Sequence, residues 1–391
     1  LSTTPDAVRF ADDEAVMRRA VELARKGRGL VEPNPMVGAV LVDDDRQLIS
    51  EGFHERFGGP HAEVHVLQEA GERARGATLF VTLEPCCHYG KTGPCSRAIV
   101  QAGVKRVVVG VVDPAPHIDG GGIADLVNAK IEVEIGVLAE ECRQLIAPFN
   151  KLMTTRTPWV HAKWAMTLDG KLAAHTGHSQ WISNETSRAY SHQLRGLVDA
   201  VIVGAGTVRR DNPRLTARPS GRRTPIRVIV DTEATLSLDS NLIRTLDEAP
   251  VMVACGTNAS LENIERLRSE GIKVVVSPPM SGNPGVDLSS LLHDLGRQSI
   301  THVLVEGGNR LLGSFFDAGF VDEVHVFVGP KIVGGDSAPH PVGGKGLPAI
   351  PELSSLIDPS IQILDGDVLI EGRLRKTLPM PRAKASEGTK G

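Results

Sequence analysis

Apolar positions fall along this chain in two rhythms, helical spacing in some stretches and short unbroken runs in others, and the two alternate over most of its length. Asp12 and Asp13 open an amphipathic stretch that brings Val16, Met17, Ala20, Leu23 and Ala24 to one face and ends near Gly27. An apolar run at 37–42 predicts a strand. A helix is predicted from about His61, carrying Val64, Leu67 and Ala70. A strand at 78–83 then delivers Glu84, Pro85 and Cys86 at its C-terminal end. A short helix at 95–102 and a strand at 104–112 follow. Around 149–158 the pattern breaks, with Lys151, Arg156 and Pro158 punctuating a predicted linker. A second series of strands is predicted at 159–166, 200–203, 226–230, 251–254, 273–276, 302–305 and 323–328, with helical patterns between several of them.

The fold class this predicts is α/β in two parts, and a length of 391 residues agrees. The expected division is 1–150, then 158–378, then a polar, basic and frayed tail at 379–391. The balance of 41% hydrophobic and 23% charged residues is ordinary for a globular enzyme. Aromatics make up only 4% and the net charge is −4, so a nucleic-acid partner is not expected. Five cysteines in so long a chain imply no disulfide framework, and a cytoplasmic location fits. The stretch from Leu1 to Ala11 lacks the pattern of a signal peptide, and no apolar run is long enough to span a bilayer, so no membrane is expected.

The chemistry is concentrated in His61-Ala-Glu63, Pro85-Cys86 and Cys95. One imidazole and two thiolates make a three-ligand zinc set that leaves a fourth tetrahedral position for water. Glu63, two residues beyond the histidine, is placed to move protons for that water without ligating the metal. The pattern is that of zinc deaminases of nucleobases, although eight residues rather than two separate the thiols. A lone His or Cys is more often core or surface, and a structural zinc recruits four protein ligands more often than three. Three ligands beside a carboxylate favour catalysis. Cys87 and His88 are rival ligands by residue type, but adjacent residues rarely point at one metal and His88 opens a Gly/Pro loop, so they are disfavoured. His65, one helical turn after His61, reads as a packing or substrate residue.

Two glycine-rich turns follow strands in the second half, Val203-Gly-Ala-Gly206-Thr207 and Val305-Glu306-Gly307-Gly308-Asn309. Glycine permits close backbone approach, and a helix N-terminus binds phosphate. Each turn is a weak signal by itself, and neither has the spacing of a standard dinucleotide fingerprint.

Taken together, these strings resemble the bifunctional deaminase–reductases of riboflavin biosynthesis. The resemblance rests on Pro33-Asn-Pro-Met-Val-Gly38, His61-Ala-Glu63-Val, Thr82-Leu-Glu-Pro-Cys86, Cys95, Ser179-Gln-Trp181-Ile, Thr207 with Asp211-Asn-Pro213, and Val305-Glu-Gly-Gly308. It covers nearly the whole chain, and the order of the two halves matches.

The resemblance implies a cytidine-deaminase-like three-layer domain followed by a dihydrofolate-reductase-like domain. It implies hydrolytic deamination of 2,5-diamino-6-ribosylamino-4(3H)-pyrimidinone 5′-phosphate, then NADPH-dependent reduction of the ribosyl group to ribityl. His61, Cys86 and Cys95 look like zinc ligands, Glu63 the proton shuttle and Asn34 a substrate contact. In the reductase half, Lys163, Ser179, Arg195, Leu215, Arg218 and Glu306 resemble substrate contacts. The arginines suit a phosphate monoester. Ala165, Trp181, Thr207, Asp211, Gly308, Asn309, Arg310, Leu311, Leu312, Gly313 and Ser314 resemble the NADPH site. Ala115 and His178 depart from the family's usual Asn and Glu. A homo-oligomer acting on a small molecule is expected.

The rival readings are a single-activity deaminase of a free base or nucleoside, a tRNA-type deaminase, and a zinc-stabilised scaffold that only binds a pyrimidine. Metal content, ammonia release and NADPH loss with one substrate discriminate among them.

Overall fold

Asp12 caps the first helix as the pattern predicts. Its carboxylate accepts the Ala15 N–H at 2.8 Å, and Val16, Met17, Ala20, Val21, Leu23 and Ala24 are buried behind it. The structure, a computed structural model, describes residues 8–89, 93–113, 120–278, 285–351 and 355–375. Ala115 and the tail 379–391 lie outside the described residues.

The first part of the chain runs α1 (Asp13–Arg25), β1 (Gly38–Val42), β2 (Leu48–Phe53), α2 (Ala62–Ala70), β3 (Thr78–Leu83), α3 (Cys95–Ala102), β4 (Arg106–Val111), α4 (Gly121–Asn128), β5 (Glu132–Ile135) and α5 (Ala139–Thr155). The rest runs β6 (Trp159–Thr167), α6 (Glu185–Arg195), β7 (Ala200–Gly204), α7 (Ala205–Asp211), β8 (Ile226–Val230), α8 (Asn241–Arg244), β9 (Val251–Cys255) and α9 (Leu261–Ser269). It ends with β10 (Lys273–Val276), α10 (Leu288–Arg297), β11 (His302–Glu306), α11 (Asn309–Asp317), β12 (Glu323–Gly329), β13 (Leu356–Leu364) and β14 (Asp367–Leu374).

The chain divides into two compact units, one of Leu1–Trp159 with Ser191–Leu304, the other of Val160–Tyr190 with Val305–Gly391. In the first, a five-stranded sheet has the order β2-β1-β3-β4-β5, antiparallel at β1–β2 and β1–β3 and parallel from β3 to β5. Successive side chains point to opposite faces. Val40, Val42, Phe80 and Val108 therefore pack with α1 and Cys142 of α5. Ala39, Leu41, Leu79, Val81, Val107 and Val109 pack on the other side with α2, Ile99 of α3 and Leu126 of α4. This is the three-layer arrangement expected. The same unit carries β10-β9-β8-β7, all parallel. The second unit carries β6 parallel to β12, then β14 and β13 antiparallel in turn.

The predicted linker begins too early. Helix α5 runs through position 150 to Thr155 despite Pro148 within it, and Arg156 closes it in the left-handed region. Only 156–158 separate α5 from β6. Lys151 lies inside the helix, so its charge does not mark a break.

Candidate metal centre and active site

Three segments of the first unit converge on one point. His61 is the residue at which α2 starts, Cys86 lies three residues beyond β3, and Cys95 is the first residue of α3. Nδ1 of His61 lies 3.6 Å from Sγ of Cys86 and 3.3 Å from Sγ of Cys95. Tetrahedral zinc with its usual bonds to nitrogen and sulfur would set such edges at ~3.5 Å. The donor set therefore fits the metal that the sequence implies. The Cys95 N–H donates to Sγ of Cys86 at 3.4 Å, so the start of α3 favours a thiolate there. The Cys86 thiol is pushed down to about 4, chiefly by the hydrogen bond from Cys95 and next by His61, against the opposing effect of burial. Cys95, holding the proton on that bond and itself buried, is pushed well up. Bound metal would remove that proton too.

Glu63 stands in the first turn of α2 at 3% exposure, with Oε2 buried and bonded to no protein group. Burial pushes its carboxyl up, partly offset by His61. An acceptor left open beside a metal triad is what a proton carrier for a water needs. Cys87 and His88 stand outside the triad. Cys87 is half-buried with Sγ against Gly121, and His88 lines the adjoining cavity. His65 does not line that cavity, and its Cβ lies against Gly52, which supports its packing role.

The cavity has a volume of about 740 Å³ and is reached by Asn34, His54, His61, Glu63, Cys86 and Phe149. Asn34 is fixed from behind. Its Nδ2 meets Nε2 of His54 at 3.3 Å, and Nδ1 of His54 meets the Pro60 carbonyl at 2.9 Å. Burial lowers the pKa of His54, and its ring stands edge-on to His61 at 5.2 Å. Leu152, Met153 and Arg156 of the α5 end, with Gly296 and Arg297 at the end of α10 and Ser299 just after it, complete the wall. None of His54, Arg156 or Arg297 was singled out as a site residue from the sequence, where each lies outside a recognisable string.

Glu84 is the other residue that sequence reasoning missed. Its carboxylate accepts four backbone N–H groups: Asp113 and Gly120 at 3.1 Å on Oε2, Gly122 at 2.9 Å and Ile123 at 3.1 Å on Oε1. The end of β3, the loop after β4 and the start of α4 are thereby tied together next to Cys86. Gly122 is obligatory in this contact, because a Cβ there would lie 1.8 Å from the Pro85 carbonyl oxygen. Its sequence signals were its place in the Thr82-Leu-Glu-Pro-Cys86 string and between an apolar strand and a proline, neither of which shows what it bonds.

The expected reductase residues fall in both units. In the first, Arg195 ends α6, and its Nη1 donates to the Thr216 carbonyl at 3.4 Å. Arg218 Nη2 lies 3.4 Å from Nε2 of His192, whose Nδ1 meets the same Thr216 carbonyl at 3.1 Å. Arg195, His192 and Arg218 thus form one connected group that carries two guanidinium charges. Leu215 is buried at φ 59. Thr207 and Asp211 lie on α7.

In the second unit, Lys163 and Ala165 lie on β6, with Nζ of Lys163 5.3 Å from the centre of the Phe327 ring. Ser179 is half-buried, and Trp181 is exposed beneath the Arg188 guanidinium at 4.4 Å. Glu306 is buried at the end of β11. Gly307 and Gly308 have φ 85 and 86 and lead into the N-terminus of α11. That turn suits a phosphate of the dinucleotide. Within the predicted segment Leu311, Leu312 and Gly313 face the packed side of α11, and Asn309, Arg310 and Ser314 are more open.

Two families match this chain. The cytidine and deoxycytidylate deaminase zinc-binding region matches residues 11–111, and the RibD C-terminal domain matches residues 158–370. The Aquifex aeolicus riboflavin biosynthesis protein RibD is 42% identical over 360 residues, 92% of this chain and 97% of that protein. The Escherichia coli protein of the same name is 37% identical, covering 88% of this chain and 93% of its own. The Acinetobacter baumannii RibD structure superposes with a TM-score of 0.80 at 37% identity, over 93% of this chain and 99% of that one. A Thermotoga maritima diaminohydroxyphosphoribosylaminopyrimidine deaminase/5-amino-6-(5-phosphoribosylamino)uracil reductase superposes at 0.78 with 38% identity, over 93% and 98%.

Proposed function

The chain belongs to the RibD family of riboflavin biosynthesis, and from that premise we propose which of its residues perform each of the family's two reactions. It is a bifunctional enzyme, a zinc-dependent deaminase of 2,5-diamino-6-ribosylamino-4(3H)-pyrimidinone 5′-phosphate and an NADPH-dependent reductase of the deaminated product.

The triad of His61, Cys86 and Cys95 with the unbonded Glu63 oxygen supports the deaminase assignment. Zinc held there would lower the pKa of a water towards neutrality, the condition for its acting as a nucleophile. Glu63 takes the proton from that water and passes it to the leaving amine. The raised carboxyl of Glu63 suits both halves of that task. Asn34, held by His54, orients the pyrimidine. Arg156 and Arg297 on the cavity wall take the 5′-phosphate. The deaminase part extends through α5 to Thr155, five residues past the expected end at 150, and the reductase part begins at 158.

For the second reaction a bound NADPH would supply the hydride for the opened sugar. Lys163 stabilises or protonates the atom that receives the electrons. Arg195 and Arg218, supported by His192, hold the phosphate, and Ser179, Leu215 and Glu306 hold the remainder of the substrate. Ala165, Trp181, Thr207, Asp211 and residues 308–314 would hold the dinucleotide, with the glycine turn before α11 suited to one of its phosphates. The substrate is a small molecule, and among the described residues no helix is long and apolar enough to cross a membrane. The proposed working form is a cytoplasmic homo-oligomer without a nucleic-acid partner.

Purified, zinc-loaded protein given the diaminopyrimidine ribotide should release one ammonia per substrate, then oxidise one NADPH. Ammonia release in a Glu63→Gln variant at the wild-type rate would remove Glu63 from the mechanism. NADPH oxidation in an Arg195→Ala/Arg218→Ala variant at the wild-type KM would remove the phosphate assignment.

A further inference from the structure

Buried imidazoles need partners, and the second unit holds two against each other. His161 on β6 and His325 on β12 are each 2% exposed, with Nδ1 of His161 3.1 Å from Nε2 of His325. The register explains the meeting. His161 stands opposite Glu323 in the parallel pair β6–β12, and His325 opposite Glu371 in the antiparallel pair β12–β14. Alternation along each strand sends all four side chains from one face of three adjacent strands.

Glu323 Oε2 lies 3.6 Å from Nδ1 of His161, and Glu323 Oε1 lies 3.7 Å from Nε2 of His325. Those two separations exceed a good hydrogen bond. They suit three donors arranged around a common centre. A tetrahedral ion with bonds of its usual length to nitrogen and oxygen would set the edges at ~3.3 Å, between the 3.1 Å and the 3.6–3.7 Å observed.

The surroundings match as well. Nδ1 of His325 is 2.5 Å from Oε1 of Glu371, a carboxylate–imidazole contact that directs the Nε2 lone pair into the triangle. Glu371 is itself fixed by the Tyr190 hydroxyl, which donates at 2.9 Å and 3.1 Å to its two oxygens, and by Gln362 at 3.5 Å. With both histidines neutral, Glu323 and Glu371 together balance the charge of one divalent cation.

We propose that His161, Glu323 and His325 form a second zinc site, separate in its residues from the cysteine-bearing centre, with Glu371 orienting His325. The site pins β6 to β12 and β14. It also stiffens the strand carrying Lys163, the next residue on that face of β6 and the one opposite His325. Its three donors tie β6 to β12, and Glu371 ties β14 to the same centre.

The test uses full-length protein stripped with a chelator, dialysed against zinc chloride and analysed for metal. Wild type should hold two zinc ions per chain. Cys86→Ala/Cys95→Ala should hold one, and its melting temperature should still rise when zinc is added. His161→Gln/His325→Gln should also hold one, and still release ammonia. Combining all four substitutions should leave none. One zinc in wild type with none in the cysteine variant overturns the proposal, as does a second zinc that persists in the histidine variant. If the buried histidine substitutions unfold the chain, the cysteine variant decides by itself, since it leaves the cluster intact.

Discussion

Arg223 reaches back 191 positions to Glu32, its Nη1 3.4 Å from a carboxylate that is 3% exposed. The other Nη of Arg223 pairs with Asp199, whose second oxygen accepts the Thr301 and His302 N–H groups at 2.8 and 2.9 Å. Glu32 also accepts the Gly29 N–H at 2.8 Å. Burial pushes the Glu32 carboxyl up, offset only in part by the backbone N–H groups it accepts and by Arg223.

Removing the cation strands a buried carboxylate. Arg223→Met should lower stability by roughly 2–3 kcal/mol at neutral pH, somewhat below a fully buried pair because Arg223 is partly exposed. The sign of the pH effect follows from the raised carboxyl. A raised acid favours the folded state when protonated, so the variant's deficit should shrink as pH falls through the folded pKa of Glu32 and grow as pH rises. Thermal melts of both proteins from pH 5 to 8 check this. A deficit independent of pH would assign the loss to packing instead.

Glu63→Gln should retain zinc and slow ammonia release by roughly two to four orders of magnitude, the usual range for a lost general acid–base group. Reduction of ready-deaminated substrate should continue at the wild-type rate. Metal analysis beside the two assays separates loss of proton transfer from loss of the ion.

Glu84→Gln puts an amide nitrogen where two backbone N–H groups now find an oxygen. Each N–H left without an acceptor costs roughly 1–3 kcal/mol. Zinc affinity, read by competition with a chelator, should fall about 10–100-fold, as for other groups that orient metal ligands. Wild-type melting and affinity would show that this carboxylate does not position Cys86.

Arg156→Ala and Arg297→Ala should each raise the deaminase KM about tenfold or more with little change in kcat, the pattern of lost ground-state binding. A phosphate-free nucleoside substrate should not register either change. Equal losses on both substrates would place the arginines in the cavity's packing and not on the phosphate.

Lys163→Met should depress NADPH oxidation at least about tenfold, or roughly 1.4 kcal/mol of transition-state stabilisation. Ammonia release should not change. Normal turnover with the aminouracil ribotide would leave Lys163 as a half-buried strand residue stacked on Phe327.

Central strands were legible because they are buried on both faces: β3 and β8 appear at the boundaries their apolar runs predict. Strands β2, β5, β13 and β14 escaped notice for the converse reason, β14 burying only Asp367 and Leu369. Ser50 is the one buried residue of β2, and β5 and β13 are largely exposed, so none carries an unbroken apolar run. Helix α2 was found, but its buried face is Ala62, Glu63, Val66, Leu67 and Ala70, with Val64 turned towards the two cysteines. The metal ligands were legible because sequence spacing constrains them. Glu84, Arg156, Arg297 and the Glu32–Arg223 pair were not, since each depends on backbone or side chains distant along the chain.

The route of α5 makes the deaminase less portable than a motif search suggests. Phe149, Leu152, Met153 and Arg156 wall the cavity beside Gly296, Arg297 and Ser299. Cutting at 150 would keep every zinc ligand and discard much of the vessel that shapes the substrate. The ligand set could be transplanted as a cassette. The selectivity could not, because it belongs to a surface written partly in residues almost 150 positions downstream.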